Sequence, residues 1–489
     1  MKFLAWLWWR MILLGVLLWG VVGVQAQAKP DFKLVDSYIQ SLMSDYEIPG
    51  LGLSIVKDGV VVYAQGYGVR DIDSKQPVTP ETEFNIGSIS KSFTALAVAQ
   101  LVDAGKLSLD APITTYLPDF KLSDSAATPK LTLRYLLSNS GGFKADDAAW
   151  YGGKVKSLAA VESYIGTLPV TSNPGSTYEY NNLGYALAGY IVENVSGESW
   201  GEYVKEHIFT PLKMENASTG YTALQQKADY ARPHQLDVLL GNKVIPYFSN
   251  IDAIAPAGAV NASALEMANY ALLQLGDGSF EGQAVVSKNL LDVMHTTRVE
   301  TYGLGWAQGT MDGYNTVWHN GAIDGFGALL TMIPSEHVAV FAVMNGEYDD
   351  NSGFLETIVQ HTLEVVLGLN PTENLKTTMQ TQTGLNPLDR KARFEAARAY
   401  QPDIAGYAAF VGDYSGSFGA IHISLEQDHL MVLWDNAGLA VRFPLVEFKP
   451  HQFIGNGRGL INSVMEIQSA ADGSVTLLAD GNVIGQKAR

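Results

Sequence analysis

The chain has 489 residues, with 32 basic and 50 acidic side chains and a formal net charge of −18. This length predicts roughly two to four domains, and a composition of 47% hydrophobic and 17% charged residues excludes a disordered chain. The acidic balance, without Lys/Arg clusters, argues against nucleic acid as a partner. The absence of cysteine excludes disulfides, cysteine nucleophiles and thiolate metal sites.

Residues 1–28 have the pattern of a secretory signal peptide. Lys2 and Arg10 give a positive start, an apolar run covers 11–24, and Ala26 and Ala28 offer small residues for cleavage. The pattern predicts a secreted or periplasmic protein with no stable membrane span after cleavage. The alternative is an uncleaved anchor with Arg10 inside the bilayer, which the cost of a buried charge disfavours.

Strand and helix patterns mix between residues 29 and 369, the first predicted domain. The strand patterns form two hairpins, Leu51–Val56 with Val60–Gln65 and Gly327–Ile333 with Val338–Met344. The helical patterns between these hairpins include Ser90–Ala104, Leu183–Val195 and Ala264–Leu275. We therefore expect an α+β fold with an antiparallel sheet covered by helices.

The first chemical motif is S-x-x-K, formed by Ser88 and Lys91 at the start of the helix. Residues three apart are neighbours on a helix surface, so the lysine can receive the proton of the serine hydroxyl. A lysine acts as a base only if burial or nearby cations lower its pKa from about 10.4. The Ser88 backbone N–H, at a helix start, is one candidate oxyanion donor. Because such pairs occur by chance in many helices, the motif alone is weak.

Two further motifs strengthen this interpretation. Tyr180 and Asn182 form Y-x-N, in which the tyrosine can relay a proton and the asparagine can hold Lys91 and a substrate amide. The segment Trp318–Ala322 leads into the second hairpin and carries His319, Gly321 and Ala322. We expect its strand edge to line the cleft, with the Ala322 N–H as the second oxyanion donor.

A fourth pattern, G-x-S-x-G at Gly197–Gly201, resembles the nucleophile elbow of α/β-hydrolases. That motif requires a strand before the serine. Here a helical stretch precedes it, so Gly197 is interpreted as a helix cap and Ser199 is not expected to be catalytic.

The C-terminal part begins after a polar, proline-bearing linker at residues 370–403, within which a helix is expected at Arg390–Ala399. Residues 404–489 predict a small all-β domain, either a lipocalin-like barrel or a sandwich. The short alternating runs that indicate it are Ala420–Leu425, Leu430–Asp435, Leu439–Val446, Val464–Ser469 and Ser474–Ala479.

Together the S-x-x-K motif, the Y-x-N motif and the segment Trp318–Ala322 resemble the serine β-lactamase and penicillin-binding-protein superfamily. The similarity is to the branch that contains class C β-lactamases, DD-carboxypeptidases, D-aminopeptidases and esterases. The resemblance extends from Asp36 to Leu369 through further landmarks in the same order, Ile48–Gly50, Leu101–Pro118, Thr132–Phe143 and Tyr302–Trp306 among them. It implies a β-lactamase/transpeptidase-like fold with an antiparallel sheet, flanking helices and an all-helical subdomain.

The resemblance also implies roles for individual residues. Ser88 would be the acylated nucleophile, Lys91 and Tyr180 its base and acid, and Asn182 their orienting partner. The Ser88 and Ala322 backbones would form the oxyanion hole beside Gly321, with no metal and no cofactor. The chain departs from class C β-lactamases at His319, where they usually have lysine, and a neutral histidine would bind a substrate carboxylate less strongly. Tyr135 and Asn139 stand where relatives often have histidines.

The sequence thus predicts an exported serine hydrolase that forms an acyl-enzyme on a small-molecule, D-amino-acid peptide or ester substrate. A peptidase or esterase is favoured because of His319. The alternatives are a β-lactamase and a penicillin-binding sensor that acylates but turns over slowly. A catalytically inactive scaffold is disfavoured because Ser88, Lys91 and Tyr180 are all present. The oligomeric state is left open.

Overall fold

The fold is taken from a computed structural model. It describes residues 30–247, 249–346, 353–371, 387–416, 419–436, 439–455 and 463–487. The predicted signal peptide at 1–28 and residues 372–386 of the predicted linker lie outside these ranges. Within the described ranges no helix combines the length and apolar character needed to span a membrane.

The centre of the molecule is a six-stranded antiparallel sheet in the order β10-β11-β12-β13-β1-β2. Its strands are β1 (Gly50–Lys57), β2 (Val60–Gly68), β10 (Ala307–Met311), β11 (Tyr314–Ile323), β12 (Phe326–Ile333) and β13 (Val338–Met344). The two hairpins predicted from sequence meet in the middle of the sheet, where Leu51 pairs with Met344. Helices cover both faces, so β12 and β13 are buried along their whole length. The predicted α+β class is confirmed.

Four minor pairings of short strands lie outside this sheet. They involve β3 (Phe84–Asn85), β4 (Ser218–Thr219), β5 (His234–Asp237), β6 (Gly241–Val244), β7 (Val260–Ala262), β8 (Ser279–Phe280) and β9 (Gln283–Ala284). The β3–β7 pairing leads directly into the turn that carries Ser88. This pairing places the Ser88 turn at one end of the central sheet.

The helices divide between the two faces of the sheet. Helices α1 (Phe32–Tyr46) and α12 (Phe354–Leu367) pack on one face with β1 and β13. A larger helical region packs on the other face around α2 (Ser90–Asp103), which is buried almost throughout. The remaining helices of this region are α3 (Leu133–Leu137), α4 (Asp147–Tyr151), α5 (Leu158–Ile165), α6 (Asn182–Ser196), α7 (Trp200–Val204), α8 (Tyr221–Gln225), α9 (Ala255–Gly258), α10 (Ala264–Leu275) and α11 (Lys288–His295).

The C-terminal residues form a closed barrel of eight antiparallel strands, which decides between the barrel and the sandwich left open by the sequence. The strands are β14 (Gly412–Gly416), β15 (Gly419–Glu426), β16 (His429–Asn436), β17 (Leu439–Lys449), β18 (Gln452–Gly455), β19 (Val464–Ser469), β20 (Val475–Ala479) and β21 (Asn482–Lys487). The inward residues, such as Ile423, Val432 and Leu477, fill the barrel with apolar side chains.

The helix expected at 390–399 is α13 (Pro387–Ala399), and it contacts both parts of the molecule. Phe394 and Ala397 pack with barrel residues of β17 and β18 and with Leu236 and Val238 around β5. Arg398 pairs with Glu47 at 2.8 Å. The segment is therefore a packed connection between the α+β body, residues 30–371, and the barrel.

Candidate active site

Ser88 lies in the short 3₁₀ turn Gly87–Ile89 that runs into α2. It is half-buried, whereas residues 82–87 and 89–99 on either side are buried, so the chain turns this one side chain toward the cleft. Gly87 has φ +53°, and a Cβ there would lie 2.5 Å from the Ala322 backbone nitrogen. A Cβ on Gly321 would lie 2.0 Å from the Ile86 carbonyl oxygen. Glycine at both positions thus permits strand β11 to lie against the Ser88 turn.

Lys91 has no exposed surface and makes three hydrogen bonds. Its Nζ donates to Ser88 Oγ at 3.0 Å, to Asn182 Oδ1 at 2.7 Å and to the Ala257 carbonyl at 2.9 Å. Burial lowers the pKa of Lys91 to about 7, and the carboxylate of Asp147 opposes that shift. The neutral amine that a general base requires is therefore available near neutral pH.

The Y-x-N motif lies at the start of α6, and its Asn182 contacts Lys91. Asn181 caps the helix by accepting from the Leu183 N–H at 3.1 Å, and this turn presents Tyr180 and Asn182 to the cleft. Lys91 Nζ lies 4.6 Å from the centre of the Tyr180 ring. Burial raises the pKa of Tyr180 well above its ordinary value, although 36% of the side chain is exposed, and interaction with the Ser88 hydroxyl partly offsets this rise.

Strand β11 supplies the third wall. Pairing of β11 with β10 ends at Trp318, and residues 319–323 beyond this pair line the cleft. Gly321 and Ala322 line the cavity next to Ser88, because glycine at positions 87 and 321 lets the two backbones lie close together. The arrangement brings the Ser88 and Ala322 backbones to one side of the cavity, as an oxyanion hole requires.

His319 is buried and held from both ring nitrogens. Its Nδ1 lies 2.5 Å from the Asn320 carbonyl oxygen, which can only accept, so Nδ1 carries the proton and donates. Its Nε2 then accepts from the Tyr302 hydroxyl at 2.7 Å. Burial, with the nearby Lys91 cation, lowers the pKa of His319 to about 3, so the ring is neutral at physiological pH.

These residues surround a cavity of about 490 Å³. Among the residues that the structure describes, the charged side chains that line it are Asp147 and Glu300, both carboxylates, without a lysine or arginine. Aromatic side chains make up much of the remaining wall. Asp147, Glu300 and Tyr302 also line the cavity and were not predicted from the sequence. Tyr302 does lie in one of the segments that carry the family resemblance, Tyr302–Trp306.

The structure therefore brings Ser88, Tyr180, Asn182, His319, Gly321 and Ala322 around one cavity, with Lys91 buried behind Ser88. Asn139, at one of the departures from relatives, accepts from the Asn181 N–H at 3.1 Å and so supports the Tyr180 loop. Ser199 is elsewhere. It caps α7 by accepting from the Glu202 N–H at 3.3 Å, and Gly197 ends α6 with φ 82°, as predicted for a helix cap.

The chain is similar to several known proteins. The family model described as beta-lactamase matches residues 35–361. "Protein flp" of Staphylococcus aureus (strain MW2) is 28% identical over 322 residues, covering 64% of this chain and 63% of that protein. This chain thus spans less than two thirds of the length of that relative.

Two further matches cover more of the chain. "Unguisins hydrolase ungD'" of Aspergillus campestris is 26% identical over 420 residues, covering 81% of this chain and 77% of that protein. The octameric penicillin-binding protein homologue from Pyrococcus abyssi superimposes with a TM-score of 0.63 at 25% identity, covering 94% of this chain and all of that chain. The similarity in fold therefore includes the barrel as well as the hydrolase body.

Proposed function

The chain belongs to the beta-lactamase family, and we propose that it is a serine hydrolase that forms an acyl-enzyme on Ser88 with amide or ester substrates. One observation carries the proposal: a buried lysine with a pKa of about 7 donates a 3.0 Å hydrogen bond to the hydroxyl of a half-buried serine. In a solvated Ser–Lys pair the lysine pKa would stay at about 10.4. The lysine would then be protonated at neutral pH and could not accept the hydroxyl proton.

Acylation follows from the contacts. Neutral Lys91 accepts the Ser88 hydroxyl proton, directly or through Tyr180, while Oγ forms a bond to the substrate carbonyl carbon. The carbonyl oxygen becomes an oxyanion between the Ser88 and Ala322 N–H groups. Collapse of this intermediate breaks the bond to the amine or alcohol, which leaves with the proton held by Lys91 or Tyr180. Water then hydrolyses the ester on Ser88 by the reverse proton path.

The charges of the cavity favour substrates without a carboxylate. Asp147 and Glu300 line it, His319 is neutral, and no lysine or arginine is among its lining residues in the described part of the chain. A carboxylate entering this cavity meets two like charges and no fixed cation, whereas a neutral ester or a substrate with a free amine does not. We therefore place small esters and amides, D-amino-acid amides included, ahead of β-lactams and of D-amino-acid peptides with a free C-terminal carboxylate.

The alternative functions are a β-lactamase and a slow-turnover penicillin-binding sensor, and a substrate panel separates them. The purified chain is assayed with nitrocefin, a p-nitrophenyl ester, a D-Ala-D-Ala peptide and a D-amino-acid amide. We expect the ester or amide to give the highest kcat/KM. Fast nitrocefin hydrolysis above every other substrate would establish the β-lactamase alternative, and stable acylation without turnover would establish the sensor.

Covalent labelling tests the nucleophile. A fluorophosphonate should label the wild-type chain at Ser88, and Ser88→Ala should lose both label and turnover. Ser199→Ala is the matched control, because Ser199 caps a helix outside the cavity, and it should label as the wild type does. A labelled peptide that contains Ser199 would refute the assignment.

We propose in addition that the protein is exported by the N-terminal segment to the periplasm or the exterior. The support is the sequence pattern of residues 1–28. N-terminal sequencing of the protein purified from the producing cell tests it. A mature terminus after Ala26 or Ala28 is expected, and an intact Met1 would favour the anchor.

A further inference from the structure

A line of hydrogen bonds leads from the mouth of the cavity to the nucleophile. Asp147 Oδ1 accepts from Asn182 Nδ2 at 3.0 Å and from Trp150 Nε1 at 2.7 Å. Asn182 Oδ1 in turn accepts from Lys91 Nζ at 2.7 Å, and Lys91 contacts Ser88 Oγ. We infer that Asp147 is a positioning residue, which fixes the orientation of the Asn182 amide and through it the position of Lys91.

The inference follows from the polarity of each group. A primary amide has one end that accepts and one that donates, so Asn182 can present either end to Lys91. An ionised carboxylate only accepts, so Asp147 can pair only with the NH₂ end of Asn182. The indole N–H of Trp150 only donates and holds Asp147 in place. With Asp147 present, the acceptor end of Asn182 must therefore face the amine that receives the Ser88 proton.

Asp147 has a second effect on the same group, because its charge opposes the loss of the Lys91 proton on burial. The other groups around Lys91 are the Tyr180 and Tyr185 rings, at 4.6 and 5.5 Å from Nζ, the Ala257 carbonyl and neutral His319. Among these groups, Asp147 is the anion whose charge raises the pKa of Lys91. Removing its charge should therefore lower the pKa of Lys91 further.

The neighbouring residue offers a matched control. Asp146 also carries a carboxylate at the start of α4, but it accepts from the Tyr164 hydroxyl at 2.6 Å and does not line the cavity. Asp146→Asn removes the same charge one residue away. An effect of bulk charge or of helix stability would appear in both variants, whereas an effect through Asn182 would appear only at Asp147.

The inference rests on the proposed function, so the experiment has one readout that depends on turnover and one that does not. First, kcat/KM for a p-nitrophenyl ester is measured against pH in full-length wild type, Asp147→Asn, Asp147→Ala and Asp146→Asn. We expect the acid limb of Asp147→Asn to move to lower pH and kcat/KM of Asp147→Ala to fall about 10–100-fold, as for a lost hydrogen bond to a charged network. Asp146→Asn should keep the wild-type acid limb.

Second, Lys91 is titrated directly by NMR in protein with ¹³C-labelled lysine, assigned by loss of the signal in Lys91→Met. The titration should shift to lower pH in Asp147→Asn and stay unchanged in Asp146→Asn. Unchanged titration in Asp147→Asn, or equal shifts in both variants, would overturn the inference. Failure of the proposed function is separate, since it would appear as a wild-type chain that no fluorophosphonate labels at Ser88.

Discussion

Charged side chains are treated differently in the hydrolase body, residues 30–371, and in the barrel, residues 412–487. In the body Lys91, Glu83 and Glu364 are each no more than 2% exposed. In the barrel the interior is apolar, and ion pairs such as Glu426 with Arg442 lie on the exposed outside. Charged side chains are rarely fully buried in folded domains. The barrel follows this rule, and the body departs from it.

Of these three groups, Lys91 contacts the proposed nucleophile, whereas Glu83 and Glu364 are not among the residues that line the cavity. Burial moves the pKa of Lys91 down to about 7 and that of Glu83 well above its ordinary value, so both groups tend toward their neutral forms. The barrel has a buried carboxylate too, Glu447, but it accepts from the Tyr407 hydroxyl at 2.9 Å and the His451 N–H at 2.7 Å. A buried group with a shifted pKa is a candidate for function, and Lys91 differs from Glu83 in that it also contacts Ser88 at the cavity.

The largest effect that would test this comparison is the loss of the Tyr180 hydroxyl. Tyr180→Phe keeps the ring beside Lys91 but removes the group that can carry a proton to the leaving group. We expect kcat/KM for the ester to fall by about 10²–10⁴, the usual contribution of proton transfer. The matched control is Tyr164→Phe, whose hydroxyl donates to Asp146 away from the cavity. Near-normal rates in Tyr180→Phe would make the tyrosine structural.

The second effect is the pH dependence of acylation. Lys91 must be neutral to accept the Ser88 proton, and its pKa in the folded chain is about 7. Below that pH the neutral fraction falls tenfold per unit, so kcat/KM should fall about tenfold per unit and level off above about pH 8. Stopped-flow acylation with the ester measures this profile. A rate that keeps rising to pH 10 would mean that Lys91 has an ordinary pKa.

Burial of Lys91 also affects the free energy of unfolding. A lysine cation in an ion pair stabilises the folded state, whereas the buried Lys91 cation destabilises it. The pKa of Lys91 is lowered on folding, so the cation is destabilised in the native state and the folded chain gains stability as pH rises from about 7 toward about 10.5. Lys91→Met should therefore raise the free energy of unfolding at pH 6, by an amount on the order of a few kcal/mol. Denaturation at pH 6 and pH 9 measures it, and an equal gain at both pH values would contradict this cause.

The sequence predicted the parts of the site whose signal is local. Ser88 and Lys91 are three residues apart at a helix start, and Tyr180 and Asn182 flank a residue that caps the next helix. Asp147 carries no such signal. It lies 35 positions before Asn182 in the chain, and only the packing of α4 against the cavity brings the two side chains together.

The fold shows the same limit. Alternation predicted five of the eight barrel strands and missed β14, β18 and β21. The missed strands are short or contain glycine, so they give little period-two signal, and their pairing depends on neighbours distant in sequence. In the body, both predicted hairpins were confirmed because each is closed by a tight local turn.

A further test exchanges the neutral group in the cavity wall for a charged one. His319→Lys adds a cation to a cavity that Asp147 and Glu300 also line and should improve binding of a substrate carboxylate. We expect the ratio of kcat/KM for nitrocefin to that for the ester to rise about tenfold, a fraction of the gross charge interaction after desolvation. His319→Gln is the control for the lost Tyr302 contact and should not raise the ratio. An unchanged ratio in His319→Lys would show that charge at this position does not set specificity.

The smallest expected effect on turnover comes from removing the barrel. A chain cut after Thr377 lacks α13 and the barrel but keeps every residue of the cavity. Ser88 should still be labelled, at a rate reduced at most severalfold. Some loss is expected because Pro233, next to β5, abuts Gly325 in the turn between β11 and β12, where a Cβ would lie 2.5 Å from Pro233 Cβ.

Stability should change more than rate, because the body and the barrel share an apolar contact. Leu236 and Val238 are buried against Phe394, Val446 and Ile454, and the cut exposes them. Each lost burial costs about 1.5–3 kcal/mol, so the cut chain should aggregate more and melt earlier. Leu236→Ser with Val238→Ser should restore solubility in the cut chain, yet destabilise the full-length chain, where both side chains are buried. A cut chain that is folded but not labelled would mean that the barrel takes part in the reactive site. The prediction that the body alone carries the reactive site would then be wrong.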